Sequence, residues 1–240
     1  MPVLLALLAA LSAFVATRRR RRSRSPATAV IVSPPKSTVI AKDGAVRSAQ
    51  LAELTLAEAD WRRMWNATNL ENLARTYWRF LSRVTLGLIR VVYGENERSV
   101  VFLTRPFTLL RFDAPVYVLE RDHGSVRWPI RDGLLVSRSG RGSGFLALAV
   151  THLGSDPTGR VRLLIEVEVA NFYPAIAESF STPAYEATQS AIHVVVTHAF
   201  LRSLAHLNLA KSKVGRFAAP HPDVRAAIAR ARAMRERVHR

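Results

Sequence analysis

The stretch that most constrains the fold of this chain covers residues 160–209. Its first part has the period of two that marks a strand with one buried face, and its apolar positions are Val161, Leu163, Ile165, Val167 and Val169. Its second part, residues 184–209, contains no Gly or Pro, follows the capping pair Thr182-Pro183 and carries a broad apolar face. The pattern predicts a half-buried strand followed by a helix of about seven turns.

The opposite face of that strand carries two carboxylates, Glu166 and Glu168, which point the same way. They are interpreted either as an acid pair facing a ligand or as a solvent face neutralised by neighbouring arginines. Polar residues on a strand usually mark its solvent side, which favours the second interpretation. Both glutamates remain candidate ligand-binding residues.

A polar stripe runs along the predicted helix at Gln189, His193 and Thr197, which are four residues apart and therefore share one face. Facing inward, the stripe would give an apolar cavity a few groups that orient a ligand through hydrogen bonds. Facing outward, it would be the solvated side of the helix, which is the interpretation that the pattern favours. These three residues are the principal ligand-binding candidates, and the rotation of the helix decides their role.

Two capping boxes, Thr55-Leu56-Ala57-Glu58 and Thr68-Asn69-Leu70-Glu71, predict helices over residues 56–65 and 70–92. Six runs of strand-forming residues follow Gly94, separated by turn residues; they cover residues 99–104, 107–113, 116–121, 125–137, 144–153 and 160–170. Because short connections favour antiparallel pairing, the predicted fold class is α+β. An antiparallel sheet of about six strands would pack on a long C-terminal helix and two preceding helices, with an N-terminal apolar anchor.

This order of elements resembles the START-like, or helix-grip, superfamily over roughly residues 50–209. Local similarities are Val126-Arg127-Trp128-Pro129-Ile130 before Gly133, and Gly144 at the start of an apolar strand. The resemblance rests on element order and not on a diagnostic motif. It implies a curved sheet that wraps the last helix and encloses a cavity for an apolar ligand.

The formal net charge of +17 belongs to the tails. Residues 1–47 hold nine Lys or Arg against one acidic residue (+8), residues 211–240 hold nine against two (+7), and residues 48–210 hold seventeen against fifteen (+2). The predicted anion contacts are Arg18, Arg19, Arg20, Arg21, Arg22, Arg24, Arg230, Arg232, Arg235 and Arg237. The predicted partner of these tails is an anionic membrane, and nucleic acid is the alternative.

Residues 2–17 form an apolar run directly before the first arginine cluster. The positive-inside rule therefore predicts a membrane anchor with its N-terminus outside and the main domain cytoplasmic. The run spans about 24 Å against a hydrocarbon core of about 30 Å, so a peripheral or signal-like segment and a wrongly assigned start are alternatives. The predicted organisation is an anchor at 1–17, a basic and then Pro/Ser-rich linker at 18–50, a core domain at 51–210 and a basic helical tail at 211–240.

Patterns that carry chemistry are scarce. The chain has no cysteine, which excludes disulfides, thiolate metal ligands and cysteine nucleophiles. Gly140-Arg141-Gly142-Ser143-Gly144 lacks the strand-then-helix context of a phosphate-binding loop and is typical of a hairpin turn. His193 and His198 are five residues apart, about 140° around a helix, so one face cannot present both to a metal ion. We therefore predict no catalytic residue, no metal and no cofactor.

The sequence supports three hypotheses of function. The first is a membrane-tethered cytosolic domain that binds an apolar small molecule or lipid without catalysis. The second is an interaction or scaffold protein with a solid core, whose basic tails bind an anionic membrane or nucleic acid. The third is an enzyme of the cyclase or aromatase kind that the START-like fold class can host, with His193 and Glu166 or Glu168 as the acid/base candidates.

Overall fold

The computed structural model describes residues 26–33, 37–94, 96–103, 107–175 and 191–210. These residues contain ten strands and three α-helices, joined by turns and loops. The strands are β1 (Thr28–Ile31), β2 (Thr38–Ile40), β3 (Val46–Leu56), β4 (Ile89–Tyr93), β5 (Glu97–Phe102), β6 (Thr108–Asp113), β7 (Val116–Leu119), β8 (His123–Asp132), β9 (Phe145–Ser155) and β10 (Val161–Phe172). The helices are α1 (Glu58–Met64), α2 (Ala67–Val84) and α3 (Ala191–Ser203), and the 3-10 turn Leu204–His206 continues α3.

The strands form one antiparallel sheet in the order β1-β3-β10-β9-β8-β6-β5-β4, with β2 paired to β3 and β7 paired to β8. Its longest strands are neighbours although they are far apart in sequence: β10 pairs with β3 from Val161 opposite Leu56 to Phe172 opposite Val46. The order of two helices, a meander and a last helix, on which the START-like resemblance rests, is present in the structure. The predicted α+β class with an antiparallel sheet is confirmed.

The strand β10 has the alternation that its sequence predicts. Leu163, Ile165 and Val167 are buried, whereas Glu166 and Glu168 are half-buried on the opposite face. The buried face is the inner face of the sheet, against which α2 and α3 pack. One strand therefore separates an apolar interior from a polar outer surface.

The sheet has ten strands within the described residues, not about six. The strands β1 and β2 and the first part of β3 lie in residues 18–50, where the sequence predicts a linker. The inner face of β3 places Ser48 and Gln50 among apolar residues, which hides the alternation that marks a strand. Both side chains are nevertheless buried, because other elements of the fold satisfy their hydrogen bonds.

The helix boundaries differ from the capping-box prediction. Thr55 lies in β3, and α1 begins at Glu58 after Ala57, which makes no side-chain cap. The cap of α2 is Asn66 and not Thr68: its side chain accepts a hydrogen bond from the Asn69 N–H at 2.9 Å.

The helix α2 ends at Val84 and not near residue 92, because the chain turns through left-handed conformations at Leu86 and Gly87. The Thr85 hydroxyl accepts a hydrogen bond from the Ile89 N–H at 3.2 Å and leads the chain into β4. The apolar spacing of the helix continues into an apolar strand, and for this reason the sequence pattern runs past the true end of α2.

Aromatic side chains join the two long helices to the inner face of the sheet. Tyr77 of α2 packs edge-on against Phe200 of α3 with ring centroids 5.1 Å apart. Trp78 of α2 packs edge-on against Trp128 of β8 at 5.0 Å. Because these four rings are almost fully buried, they hold the helices against the sheet.

No helix among the described residues is long and apolar enough to span a membrane. The predicted membrane-associated localisation, with the N-terminus outside and the main domain cytoplasmic, is corrected by this finding. The apolar run at residues 2–17 and the basic tail at residues 211–240 lie outside the described residues.

Candidate ligand cavity

A cavity of about 180 Å³ lies between the inner face of the sheet and the helices α2 and α3. Side chains from β3, β4, β5, β6, β8, β9, β10, α2 and α3 line it. Most of them are hydrocarbon or phenyl groups, and only Ser48, Tyr77, Trp78 and His193 bring polar atoms to the described lining. This lining contains no Lys, Arg, Asp or Glu, so the cavity is apolar and uncharged.

His193, the third residue of α3, is the main polar group at this cavity. Its Nε2 atom is buried and has no hydrogen-bond partner among the described residues. Burial lowers the pKa of His193 to about 4, and the nearby His198 contributes to the same shift. The imidazole is therefore neutral at neutral pH, and its Nε2 can pair with a neutral polar group.

Two further buried polar groups lie at or beside the cavity. Thr197, one helical turn after His193, is fully buried, and its hydroxyl lies beside the Tyr77 phenol. Trp78 lines the cavity, and its Nε1 is also buried without a partner among the described residues. Buried polar groups in proteins almost always have a partner, so the unpaired His193 Nε2 and Trp78 Nε1 indicate a place where a ligand or water completes the hydrogen bonding.

The neighbouring Tyr77 also lines the cavity. Burial raises the pKa of Tyr77 to about 12, and the Thr197 hydroxyl beside it opposes part of this shift. The phenol therefore stays protonated over the whole neutral range. Because the Tyr77 phenol and the His193 imidazole are both neutral at neutral pH, the described lining of the cavity carries no formal charge.

A hydrogen-bond network fixes the rotation of α3. His198 Nε2 donates to Gln50 Oε1 on β3 at 2.7 Å, and Gln50 Nε2 donates to Ser37 Oγ at 2.6 Å. Gln50 is fully buried on the inner face of the sheet. Because His198 faces β3, His193 and Thr197 turn toward the cavity and α2. The outward orientation of the polar stripe, which the sequence pattern favours, is not the one that the structure shows for these two residues.

Replacing Gln50 by Ala is expected to lower the free energy of unfolding by about 2 kcal/mol, because it leaves His198 and Ser37 without their buried partner. Urea unfolding of the full chain measures this loss. The control is Arg47→Ala on the same strand, whose exposed ion pair with Glu168 contributes less than about 1 kcal/mol. Equal losses in the two variants would contradict a structural role for the Gln50 network.

The structure does not bring the predicted acid residues to the cavity. Glu166 and Glu168 lie on the outer face of the sheet, on the other side of β10 from His193. Glu168 pairs with Arg47 at 2.7 Å, and burial, with a contribution from Glu168, raises the pKa of Glu166. The acid/base set of the enzyme hypothesis is therefore not assembled. Gln189 and the arginines predicted to contact anions lie outside the described residues.

The sequence patterns missed Ser48, Tyr77 and Trp78 as cavity residues. Tyr77 and Trp78 occupy the apolar face of an amphipathic helix, where nothing in the spacing distinguishes a cavity wall from solid core. Among the described residues, no group of three or more His, Asp or Glu side chains is arranged to hold a metal ion.

A second, smaller cavity of about 70 Å³ lies on the same inner face of the sheet. Its lining includes Trp61 and Met64 of α1, Trp65 directly after α1, and Leu163 of β10. The two cavities share no described lining residue, so each can be altered separately.

Comparison with known proteins leaves the family open. Neither a protein-family model nor a curated protein sequence matches the chain. Among solved structures, the crystal structure of human STARD10 is similar with a TM-score of 0.32 and 8% identity, over 78% of this chain and 71% of that chain. A solution NMR structure of a protein from Arthrobacter aurescens is similar with a TM-score of 0.26 and 14% identity, over 69% and 93%. Likenesses this distant do not assign the chain to a family.

Proposed function

We propose that this domain binds a small apolar molecule in the cavity between the sheet and α3, without catalysing a reaction. The observation that carries the proposal is an apolar cavity of about 180 Å³ whose lining includes His193, a residue with a buried Nε2 that is unpaired among the described residues. Binding sites for small molecules have this composition, mostly hydrocarbon with a few polar groups that orient the ligand. The START-like resemblance in element order implies the same kind of site.

The placement of the candidate acids supports binding rather than catalysis. An acid/base mechanism needs groups within hydrogen-bond reach of one substrate, whereas Glu166 and Glu168 are separated from His193 by the sheet. The scaffold hypothesis requires a solid core, and a cavity of this size is unfavourable for a protein whose core only supports its tails. A bound ligand would fill this volume and offset the free-energy cost of the cavity.

Filling the cavity provides the test. In Val196→Phe, the larger ring replaces a buried cavity-lining residue of α3 and occupies the space of the ligand. We expect toluene, used as the probe, to raise the thermal unfolding temperature of the wild-type full chain. In the variant, its affinity by isothermal titration calorimetry is expected to fall about tenfold or more.

The matched control is Leu163→Phe, which fills the smaller cavity under α1 and leaves the larger one unchanged. This variant is expected to bind toluene like the wild type. Native mass spectrometry of the gently purified full chain adds an independent measurement, since a bound ligand would appear as a mass increment absent from Val196→Phe. No toluene binding and no bound ligand in the wild type would refute the proposed function.

A further inference from the structure

The size of the cavity limits what it can hold. An engineered cavity of about 150 Å³ in another protein binds benzene, so a volume of about 180 Å³ accommodates one ring with a small substituent. A phospholipid with two acyl chains is several times larger. The volume of the cavity therefore matches a one-ring molecule.

The polarity of the wall limits the ligand further. The Nε2 atom of His193 is buried and unpaired among the described residues, and so is Trp78 Nε1 nearby. A hydrocarbon ligand would leave these groups without partners, at a free-energy cost comparable to that of a lost hydrogen bond. A ligand with one hydrogen-bonding substituent removes this cost at His193.

The charge of the wall sets the last condition. The described lining contains no Lys, Arg, Asp or Glu, and burial keeps the His193 imidazole neutral at neutral pH. A carboxylate or ammonium group would lose its hydration without gaining a countercharge, which strongly disfavours an ionised ligand. The hydrogen-bonding group must therefore be uncharged, as in a hydroxyl or carbonyl.

From these conditions we infer that the cavity selects a neutral molecule of one-ring size, whose single hydroxyl or carbonyl group hydrogen-bonds to His193 Nε2. This inference rests on the proposed function and makes it more specific. His193 is the residue that discriminates polar from purely hydrocarbon ligands. The remaining wall supplies shape and apolar contact.

The experiment compares three probes of similar size, toluene, phenol and benzoate, by isothermal titration calorimetry of the full chain at neutral pH. We expect phenol to bind at least as tightly as toluene despite the greater hydration of phenol in water, and benzoate not to bind measurably. In His193→Leu, the ratio of phenol to toluene affinity is expected to fall about tenfold, because the buried hydroxyl loses its partner. His193→Phe is a second apolar replacement if the leucine variant folds poorly.

The control is His123→Leu, on a strand where the histidine Nδ1 pairs with Thr151 away from the cavity lining. It is expected to leave the phenol-to-toluene ratio unchanged. Toluene binding with an unchanged ratio in both His193 variants would overturn this inference but leave the proposed function intact. Benzoate binding as tight as phenol binding would overturn the neutral-ligand conclusion, and the absence of binding by all three probes would overturn both proposals. The wild-type comparison of the three probes requires no variant and tests the inference by itself.

Discussion

Lowering the pH from 7 to 4 is expected to reduce the free energy of unfolding by about 3 kcal/mol through His193 alone. Burial depresses the pKa of this side chain in the folded protein to about 4, whereas its ordinary value is 6.5. Below pH 6.5 the unfolded chain binds a proton that the folded chain does not, so stability falls between pH 6.5 and 4, and this contribution levels off below pH 4. A difference of about 2.5 pKa units corresponds to about 3 kcal/mol.

Other groups near α3 modify this response. Burial, helped by Arg202, also lowers the pKa of His198, which therefore adds an acid-dependent loss of the same sign. Glu166 acts in the opposite direction, because its raised pKa favours the folded state as the pH falls. Tyr77, with its pKa near 12, does not titrate in this range.

Urea unfolding at pH 7, 5.5 and 4 measures the effect. His193→Leu is expected to reduce the acid-dependent loss of stability by about 3 kcal/mol, while the control His123→Leu retains the larger part of the wild-type response. The same pH dependence in wild type and His193→Leu would show that His193 is not held neutral in the folded core. A ligand that pairs with neutral His193 should add further acid sensitivity, since it is lost when the imidazole gains a proton.

Replacing Gly133 by Ala is expected to destabilise the protein by about 4 kcal/mol. Gly133 follows β8 with a φ of 145°, and an added Cβ would overlap with the Leu109 carbonyl oxygen of β6. The Leu109 carbonyl also accepts a hydrogen bond from the Leu135 N–H at 3.1 Å. Because backbone atoms cannot move aside as a flexible side chain can, the substitution must separate the turn from β6.

Gly142→Ala is the matched control for Gly133→Ala. Gly142 also has a positive φ, 74°, but an added Cβ would meet no atom within 4 Å, so the expected cost is only about 1 kcal/mol. Thermal and urea unfolding of both variants separate the steric contact from the backbone conformation. Leu109 and Leu135 line the larger cavity, so Gly133→Ala should also weaken toluene binding, whereas Gly142→Ala should not. Equal losses of stability in the two variants would contradict the steric explanation.

Much of the fold could be predicted because its signals are local. The alternation along β10 depends only on which residues have one face buried, and the sequence shows it directly. The strand β3 was not predicted because Ser48 and Gln50 interrupt the apolar face, and their burial depends on partners elsewhere in the fold. The end of α2 was placed too late because an apolar strand follows the turn at Gly87.

The candidate site was predicted in part. The spacing of His193 and Thr197 places them on one helix face, and the structure places both at the cavity or directly beside it. Glu166 and Glu168 were correctly expected to share the face of β10 opposite its apolar residues, but that face lies away from the cavity. Tyr77 and Trp78 carried no signal that separates a cavity wall from a packed core.

The sequence by itself determined the strand at residues 161–170 and the spacing of the polar stripe of the last helix. Tertiary structure alone decided which way that stripe faces, through the bond between His198 and Gln50, residues that are 148 positions apart. It also decided that space remains between the sheet and α3. A periodic pattern reports which face of an element is buried. A cavity is the volume that side chains from distant segments together leave unfilled, so no single segment encodes whether the core is filled or hollow.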